Sequence, residues 1–172
     1  VTNSVGCTSP ASSNIVITAV IPASPVTGTI TQPTCTVATG SVVLSNLPAG
    51  NWTINPGGIN GNTTNTTINN LLTGTYNFTV TNNLGCTSSA SANVVINSQP
   101  VIPPAPTLGT LTQPTCSLAT GSIALSGLPT GNWTINPGTI TGTGTGKTLS
   151  GIITGTYAYT VTNSAGCTSA FS

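Results

Sequence analysis

The stretch TQPTCTVATGSVVLSNLPAGNWTINPG, residues Thr31 to Gly57, returns 81 residues later as TQPTCSLATGSIALSGLPTGNWTINPG, residues Thr112 to Gly138. A second stretch, GTYNFTVTNNLGCTS (74–88), returns at the same offset as GTYAYTVTNSAGCTS (155–169). A partial third instance opens the chain, where VTNSVGCTS (1–9) matches VTNNLGCTS (80–88). A fixed period indicates a tandem array of one structural unit.

The boundaries of the unit follow from where its length varies. IVITAVIPASP (15–25) aligns with VVINSQPVIPPAP (94–106) if Ser98 and Gln99 are additional residues. Proline-rich segments of this kind are semi-rigid linkers. We therefore predict the end of a preceding repeat at 1–19, a complete repeat at 26–97 (repeat 1), and a repeat lacking its last strand at 107–172 (repeat 2).

Each repeat consists of short strand patterns separated by Gly, Pro and Asn. Ser41–Leu44 is a buried-strand run, Asn51–Asn55 and Tyr76–Thr81 alternate apolar and polar residues, and Ala92–Ile96 ends the repeat. Strands of this length at roughly ten-residue spacing are typical of antiparallel sandwiches. The sequence predicts an all-β fold of tandem immunoglobulin-like β-sandwich repeats.

Aromatic residues occupy the positions expected in such a sandwich. Trp52 and Trp133 fall on a central strand, where one large ring packs against the facing sheet. Tyr76 and Tyr157 enter a late strand after Gly-Thr, as in a tyrosine corner whose hydroxyl returns to the upstream backbone. Core packing is the favoured interpretation of both pairs, and a carbohydrate-stacking role requires that the Trp rings be exposed.

The composition argues against most kinds of chemistry. The 172 residues include one Lys and no Arg, Asp, Glu or His. General acid–base catalysis uses such side chains, and so do most metal sites. We therefore expect no enzyme activity, no metal and no cofactor. A basic face for nucleic acid is lacking, and there is no run of eighteen apolar residues that would span a membrane.

The cysteines repeat with the unit. Cys35 and Cys86 are 51 residues apart, as are Cys116 and Cys167, whereas the separations across the linkers are 28 and 30. Because the constant spacing lies within a repeat, we predict the disulfides Cys35–Cys86 and Cys116–Cys167, with Cys7 left unpaired. Disulfides indicate a location outside the reducing cytosol.

These motifs resemble a known family. Cys35–Val42 with Leu71–Thr87, and Cys116–Ile123 with Ile152–Thr168, are similar to the SprB-type repeats of giant cell-surface adhesins in gliding Bacteroidetes. The match covers nearly all of both repeats, and the G-T-Y…G-C-T end is its most specific part. The resemblance implies secretion, very long filamentous proteins, and surface attachment.

Two functions follow as hypotheses. The first is a structural tandem-repeat subunit of an extracellular, cell-surface filament or adhesin stalk, whose partners are further molecules of itself. In this hypothesis the strand Asn14-Ile15-Val16-Ile17 of the next unit along completes repeat 2, either through covalent continuity of a longer chain or by donor-strand exchange between separate subunits. The alternative is a β-sandwich module of a large secreted adhesin that binds a glycan or another surface polymer, such as a polysaccharide. An exposed aromatic platform would favour the alternative.

Overall fold

A computed structural model describes residues 1–13 and 20–172. The described residues form fourteen β-strands and no helix. Repeat 1 contains eight of them: β1 (Val26–Thr31), β2 (Gly40–Ser45), β3 (Trp52–Asn55), β4 (Ile59–Gly61), β5 (Asn65–Leu71), β6 (Gly74–Tyr76), β7 (Thr79–Asn82) and β8 (Val94–Ile96). Repeat 2 contains β9 (Thr107–Thr112), β10 (Gly121–Ser126), β11 (Asn132–Asn136), β12 (Ile140–Thr143), β13 (Gly146–Ile152) and β14 (Thr160–Asn163). The predicted all-β class is confirmed.

Both repeats use the same strand order. Repeat 1 has three-stranded sheets β1-β2-β5 and β4-β3-β7, and repeat 2 has β9-β10-β13 and β12-β11-β14. The registers also coincide, since Trp52 lies opposite Asn82 and Trp133 lies opposite Asn163, each in an antiparallel pair. Repeat 1 has one further sheet, the pair β6-β8.

Contacts between Cα atoms divide the chain into two compact units. Unit 1 comprises Val1–Gly28, Val43–Thr66 and Asn77–Asn93, and unit 2 comprises Thr29–Val42, Thr67–Tyr76 and Val94–Ser172. Unit 1 contains the sheet β4-β3-β7, in which Trp52, Ile54 and Val80 are buried. Unit 2 contains β6, β8 and all of repeat 2.

The core of repeat 2 joins the inner faces of its two sheets. Ile123, Leu125 and Leu149 come from β10 and β13, whereas Trp133, Ile135 and Val161 come from β11 and β14, and all six belong to one buried cluster. Alternate residues of each strand point inward because successive side chains of a strand face opposite sides of the sheet. Packing of two antiparallel sheets through such faces is a β-sandwich.

One predicted strand is two strands in the structure. The alternating run Tyr76–Thr81 is interrupted at Asn77 and Phe78, so that β6 pairs with β8 while β7 pairs with β3. The amide of Phe78 donates to Ser91 Oγ at 3.0 Å, a side-chain bond in place of a strand ladder. The alternating pattern continues through the break and therefore did not reveal it.

Both tryptophans are core residues, as the sequence predicts. Trp52 and Trp133 are each 3% exposed. Their indole Nε1 atoms donate to the carbonyls of Thr63 (2.8 Å) and Gly144 (2.7 Å). Each indole ring packs directly on a glycine of the neighbouring strand, Trp52 on Gly61 and Trp133 on Gly142. A Cβ at Gly61 would lie 2.9 Å from Cζ3 of Trp52 and nearer to other ring atoms, so there is no room for a side chain there.

The tyrosine corners are also confirmed. Tyr76 Oη donates to the carbonyl of Leu72 at 2.9 Å, and Tyr157 Oη donates to that of Ile153 at 3.2 Å. In each case the hydroxyl returns to the backbone four residues upstream. In repeat 1 this bond fixes the entry to β6, which carries Tyr76, whereas Tyr157 lies between β13 and β14.

Candidate assembly site

The site is defined by the last strand of repeat 1. β8 pairs antiparallel with β6, so that Val94 lies opposite Tyr76 and Ile96 lies opposite Gly74. Val94 is 0% exposed and Ile96 is 1% exposed, whereas Val95 between them is 48% exposed. β8 therefore directs its first and third side chains, Val94 and Ile96, into the interior and its second, Val95, to the surface.

Polar side chains hold β8 at its end. Gln32 Nε2 donates to the carbonyl of Val95 at 2.9 Å, and its Oε1 accepts from the amide of Asn97 at 2.8 Å. Thr73 Oγ1 donates to the carbonyl of Ile96 at 3.2 Å. These residues all belong to unit 2. A two-point amide bond of this kind recognises the backbone of an extended segment rather than its side chains.

Repeat 2 has an open groove at the equivalent position. Gly155–Tyr157, the counterpart of β6, pairs with no strand in the part of the chain that the structure describes. The groove has a volume of about 380 Å³, and its apolar lining includes Leu108, Leu111, Ile123, Ile152, Tyr157 and Tyr159. Gln113, the counterpart of Gln32, lies at its edge.

The exposure of the lining shows what a strand would cover. Leu71 in repeat 1 is 9% exposed, whereas its counterpart Ile152 is only half-buried. Leu108 and Leu111 on β9 are 50% and 57% exposed. Apolar surface of this kind gains free energy when it is removed from water, at about 25 cal/mol per Å².

Burial also changes the ionisation of one lining residue. Tyr159 is 5% exposed. Burial, and secondarily the charge of the neighbouring Tyr157, raises the pKa of Tyr159 above 10. The two rings are stacked, with centroids 6.1 Å apart. The phenol of Tyr159 is therefore neutral at physiological pH.

The predicted donor strand is the segment 14–17. Asn14, Ile15, Val16 and Ile17 lie outside the described residues. In sequence they align with Asn93–Ile96.

The predicted disulfides are wrong. Cys35 is bonded to Cys167, with a Cα–Cα distance of 5.6 Å, so that neither Cys35–Cys86 nor Cys116–Cys167 is formed. In the described part of the chain Cys7, Cys86 and Cys116 have free thiols. The constant 51-residue spacing established which cysteines are equivalent, but it did not establish partners. Cys35 pairs with the counterpart of Cys86 one repeat later, at a separation of 132 residues, which is 51 + 81.

An asparagine four residues before the G-C-T cysteine orders the bonded turn. Asn163 Oδ1 accepts from the amides of Ala165 (3.1 Å) and Cys167 (3.0 Å), and its Nδ2 donates to the carbonyl of Val101 at 2.9 Å. The side chain thus connects the turn that carries Cys167 to the linker before repeat 2. All four residues belong to unit 2.

The same contact occurs in unit 1. Asn82 Oδ1 accepts from the amides of Leu84 (3.1 Å) and Cys86 (2.9 Å), and its Nδ2 donates to the carbonyl of Val20 at 3.0 Å. Sequence reasoning missed both asparagines. The signal was available, since the tripeptide V-T-N precedes each of the three G-C-T turns.

Comparisons with known proteins add little. No protein-family model matches this chain, and no curated protein matches it. Among solved structures the chain is similar to the human OSCAR ligand-binding domain, with 13% sequence identity and a TM-score of 0.35, over 89% of this chain and 97% of that one. None of the described residues belongs to a helix long and apolar enough to cross a membrane.

Proposed function

We propose that this chain is a structural tandem-repeat subunit of an extracellular filament or adhesin stalk, and that its molecules associate head to tail. The observation that carries the proposal is the open groove of repeat 2, at the position that β8 fills in repeat 1. An incomplete sandwich with an unpaired edge is a template for a strand from another molecule.

The proposed occupant is the segment Asn14–Ile17 of a second molecule. Its alignment with Asn93–Ile96 places Ile15 and Ile17 at the two inward positions and Val16 at the outward one. Full burial of two such side chains favours binding by about 3–6 kcal/mol before the cost of ordering the strand is subtracted. Gln113, which lines the groove, would bond the backbone of the incoming strand as Gln32 bonds that of β8 and Asn97 in repeat 1.

Charge and covalent structure support the same function. With one Lys and no acidic residue, adjacent molecules experience almost no electrostatic repulsion. The Cys35–Cys167 bond is of the kind that persists outside the cytosol. The resemblance to SprB-type repeats also favours a cell-surface location.

The burial of the tryptophans disfavours the alternative of a glycan-binding module. Carbohydrate stacking needs an exposed aromatic face, and Trp52 and Trp133 are each 3% exposed. We therefore give the structural function precedence over recognition of a surface polysaccharide.

The experiment compares two variants of the donor segment. The double substitution Ile15→Asp and Ile17→Asp places charge at both inward positions, whereas the control Val16→Asp places it at the outward position. We expect wild type and the control to form unbranched filaments in negative-stain images and to sediment as polymers. The double variant should remain monomeric, because burial of two unpaired carboxylates costs several kcal/mol. Filaments of the double variant, or a monomeric wild type, would overturn the proposal.

A further inference from the structure

The observed disulfide suggests how the free thiols could pair. The observed disulfide joins Cys35, in the T-Q-P-T-C loop of repeat 1, to Cys167, in the G-C-T turn of the next repeat. Cys116 is the counterpart of Cys35 in repeat 2. By the same pairing, its partner is the G-C-T cysteine of the repeat that follows repeat 2. In a head-to-tail assembly that following repeat is repeat 1 of the next molecule, and its G-C-T cysteine is Cys86.

We propose that Cys116 of one molecule and Cys86 of the next form an intermolecular disulfide at every junction of the filament. The inference rests on the proposed function, because the two thiols meet only if the molecules associate head to tail. It accounts for two of the three free thiols and leaves Cys7 without a partner, since Cys7 duplicates a position that Cys167 already occupies.

The loop around Cys116 already has the bonded conformation. In repeat 1 the amide of Thr34 donates to the carbonyl of Val37 at 2.9 Å, across Cys35. In repeat 2 the amide of Thr115 donates to the carbonyl of Leu118 at 2.8 Å, across Cys116. Cys116 is exposed at the surface of this preformed loop.

The turn around Cys86 has the same hydrogen bond as the turn around the bonded Cys167. Asn82 holds the amide of Cys86 at 2.9 Å, as Asn163 holds the amide of the bonded Cys167 at 3.0 Å. Cys167 is 0% exposed, whereas Cys86 is only half-buried and accessible.

The bond forms by thiol–disulfide exchange with a low-molecular-weight disulfide such as oxidised glutathione. The thiolate of one cysteine attacks the reagent and releases one glutathione thiolate, and the second cysteine then attacks the mixed disulfide and releases another. The two cysteines lose two electrons and two protons in total, and one oxidised glutathione becomes two molecules of reduced glutathione.

The test uses complementary single variants in a Cys7→Ser background. Cys86→Ser retains only Cys116 for this bond, and Cys116→Ser retains only Cys86. In a glutathione redox buffer we expect the background protein to give a ladder of covalent oligomers on a non-reducing gel. Each single variant alone should stay at the monomer position, and their equimolar mixture should give a dimer and nothing larger. With one variant labelled with ¹⁵N, mass spectrometry should find the Cys116 peptide of one isotope joined to the Cys86 peptide of the other.

Assembly should control the yield of this bond. Addition of Ile15→Asp and Ile17→Asp to both partners should lower the yield of dimer by roughly tenfold or more, because filament contact raises the effective thiol concentration towards the millimolar range. Dimers of Cys86→Ser alone, an intrachain Cys86–Cys116 bond in the background protein, or a yield unaffected by the donor substitutions would overturn the proposal.

A doubly substituted protein separates the two proposals. Cys86→Ser with Cys116→Ser retains Cys35–Cys167 and the donor strand. If this protein forms filaments and the background protein shows no Cys116–Cys86 link, the disulfide proposal fails and the proposed function stands. If neither protein forms filaments, both proposals fail.

Discussion

Gly142 offers a sharp test of how the tryptophans are packed. It lies directly opposite Trp133 in the antiparallel pair β11–β12. A Cβ at this position would lie 2.8 Å from Cζ2 and 3.0 Å from Cζ3 of the indole, and nearer still to Cη2. Carbon atoms in favourable contact are about 3.5–4.0 Å apart. The substitution Gly142→Ala therefore requires the ring to retreat by about 1 Å.

The ring has little freedom to retreat. Trp133 is 3% exposed in the core of repeat 2, and its Nε1 donates to the carbonyl of Gly144 at 2.7 Å. Overpacking of a core costs about 1–3 kcal/mol, and weakening of the indole bond adds about 1 kcal/mol. The lower entropy of unfolded Ala relative to Gly returns about 0.5 kcal/mol. We expect Gly142→Ala to lower the free energy of unfolding by about 2–3 kcal/mol and Tm by about 5–10 °C.

Thermal unfolding followed by far-UV circular dichroism measures this change. Gly146→Ala, in β13, is the matched control, because its Cβ would meet a single atom, the carbonyl oxygen of Leu125 at 3.3 Å. It should stay within about 1 kcal/mol of wild type.

The combination with Trp133→Phe identifies the cause. A phenylalanine ring lacks the distal indole atoms that clash, so that Gly142→Ala should cost at least about 1 kcal/mol less in that background. Additive effects of the two substitutions, or a Tm for Gly142→Ala within about 2 °C of wild type, would refute this account of the packing.

Three further predictions concern covalent, polar and titratable groups. Cys35→Ser opens a loop of 132 residues and should lower the free energy of unfolding by about 4–5 kcal/mol; a loss below about 1 kcal/mol in urea titrations would contradict this. Asn163→Ala removes the donor to the Val101 carbonyl and the oxygen that accepts from two turn amides, and should cost about 2–3 kcal/mol, against about 1 kcal/mol for Asn163→Asp. Tm should be nearly constant from about pH 2 to 8, because the chain has no Asp, Glu or His whose proton binding could change on folding. Burial and the neighbouring Tyr157 raise the pKa of Tyr159, so its contribution is complete below the unfolded pKa of about 10 and is lost as pH rises through the folded value. Tyr159→Phe should abolish that contribution to the alkaline decrease.

Much of the fold was predictable from local sequence pattern. Strand positions, the buried Trp52 and Trp133, and the hydroxyl contact of Tyr76 all depend on a residue and its near neighbours in the chain. Alternation reports which face a side chain takes, because the period of a strand is two residues. The repeat added the equivalence of positions between 26–97 and 107–172.

Only the tertiary structure decided which cysteines are bonded and which strands are paired. The spacing of the cysteines is the same whether Cys35 bonds within its repeat or to the next one, and only the proximity of Cys167 distinguishes the two. The break between β6 and β7 is similar, because Asn77 and Phe78 continue the alternation while the backbone of Phe78 bonds Ser91 instead of a strand. Periodic sequence specifies which residues are equivalent and which face they take. The distance between two segments of the chain depends on how the sheets pack, and the local sequence pattern does not determine that packing.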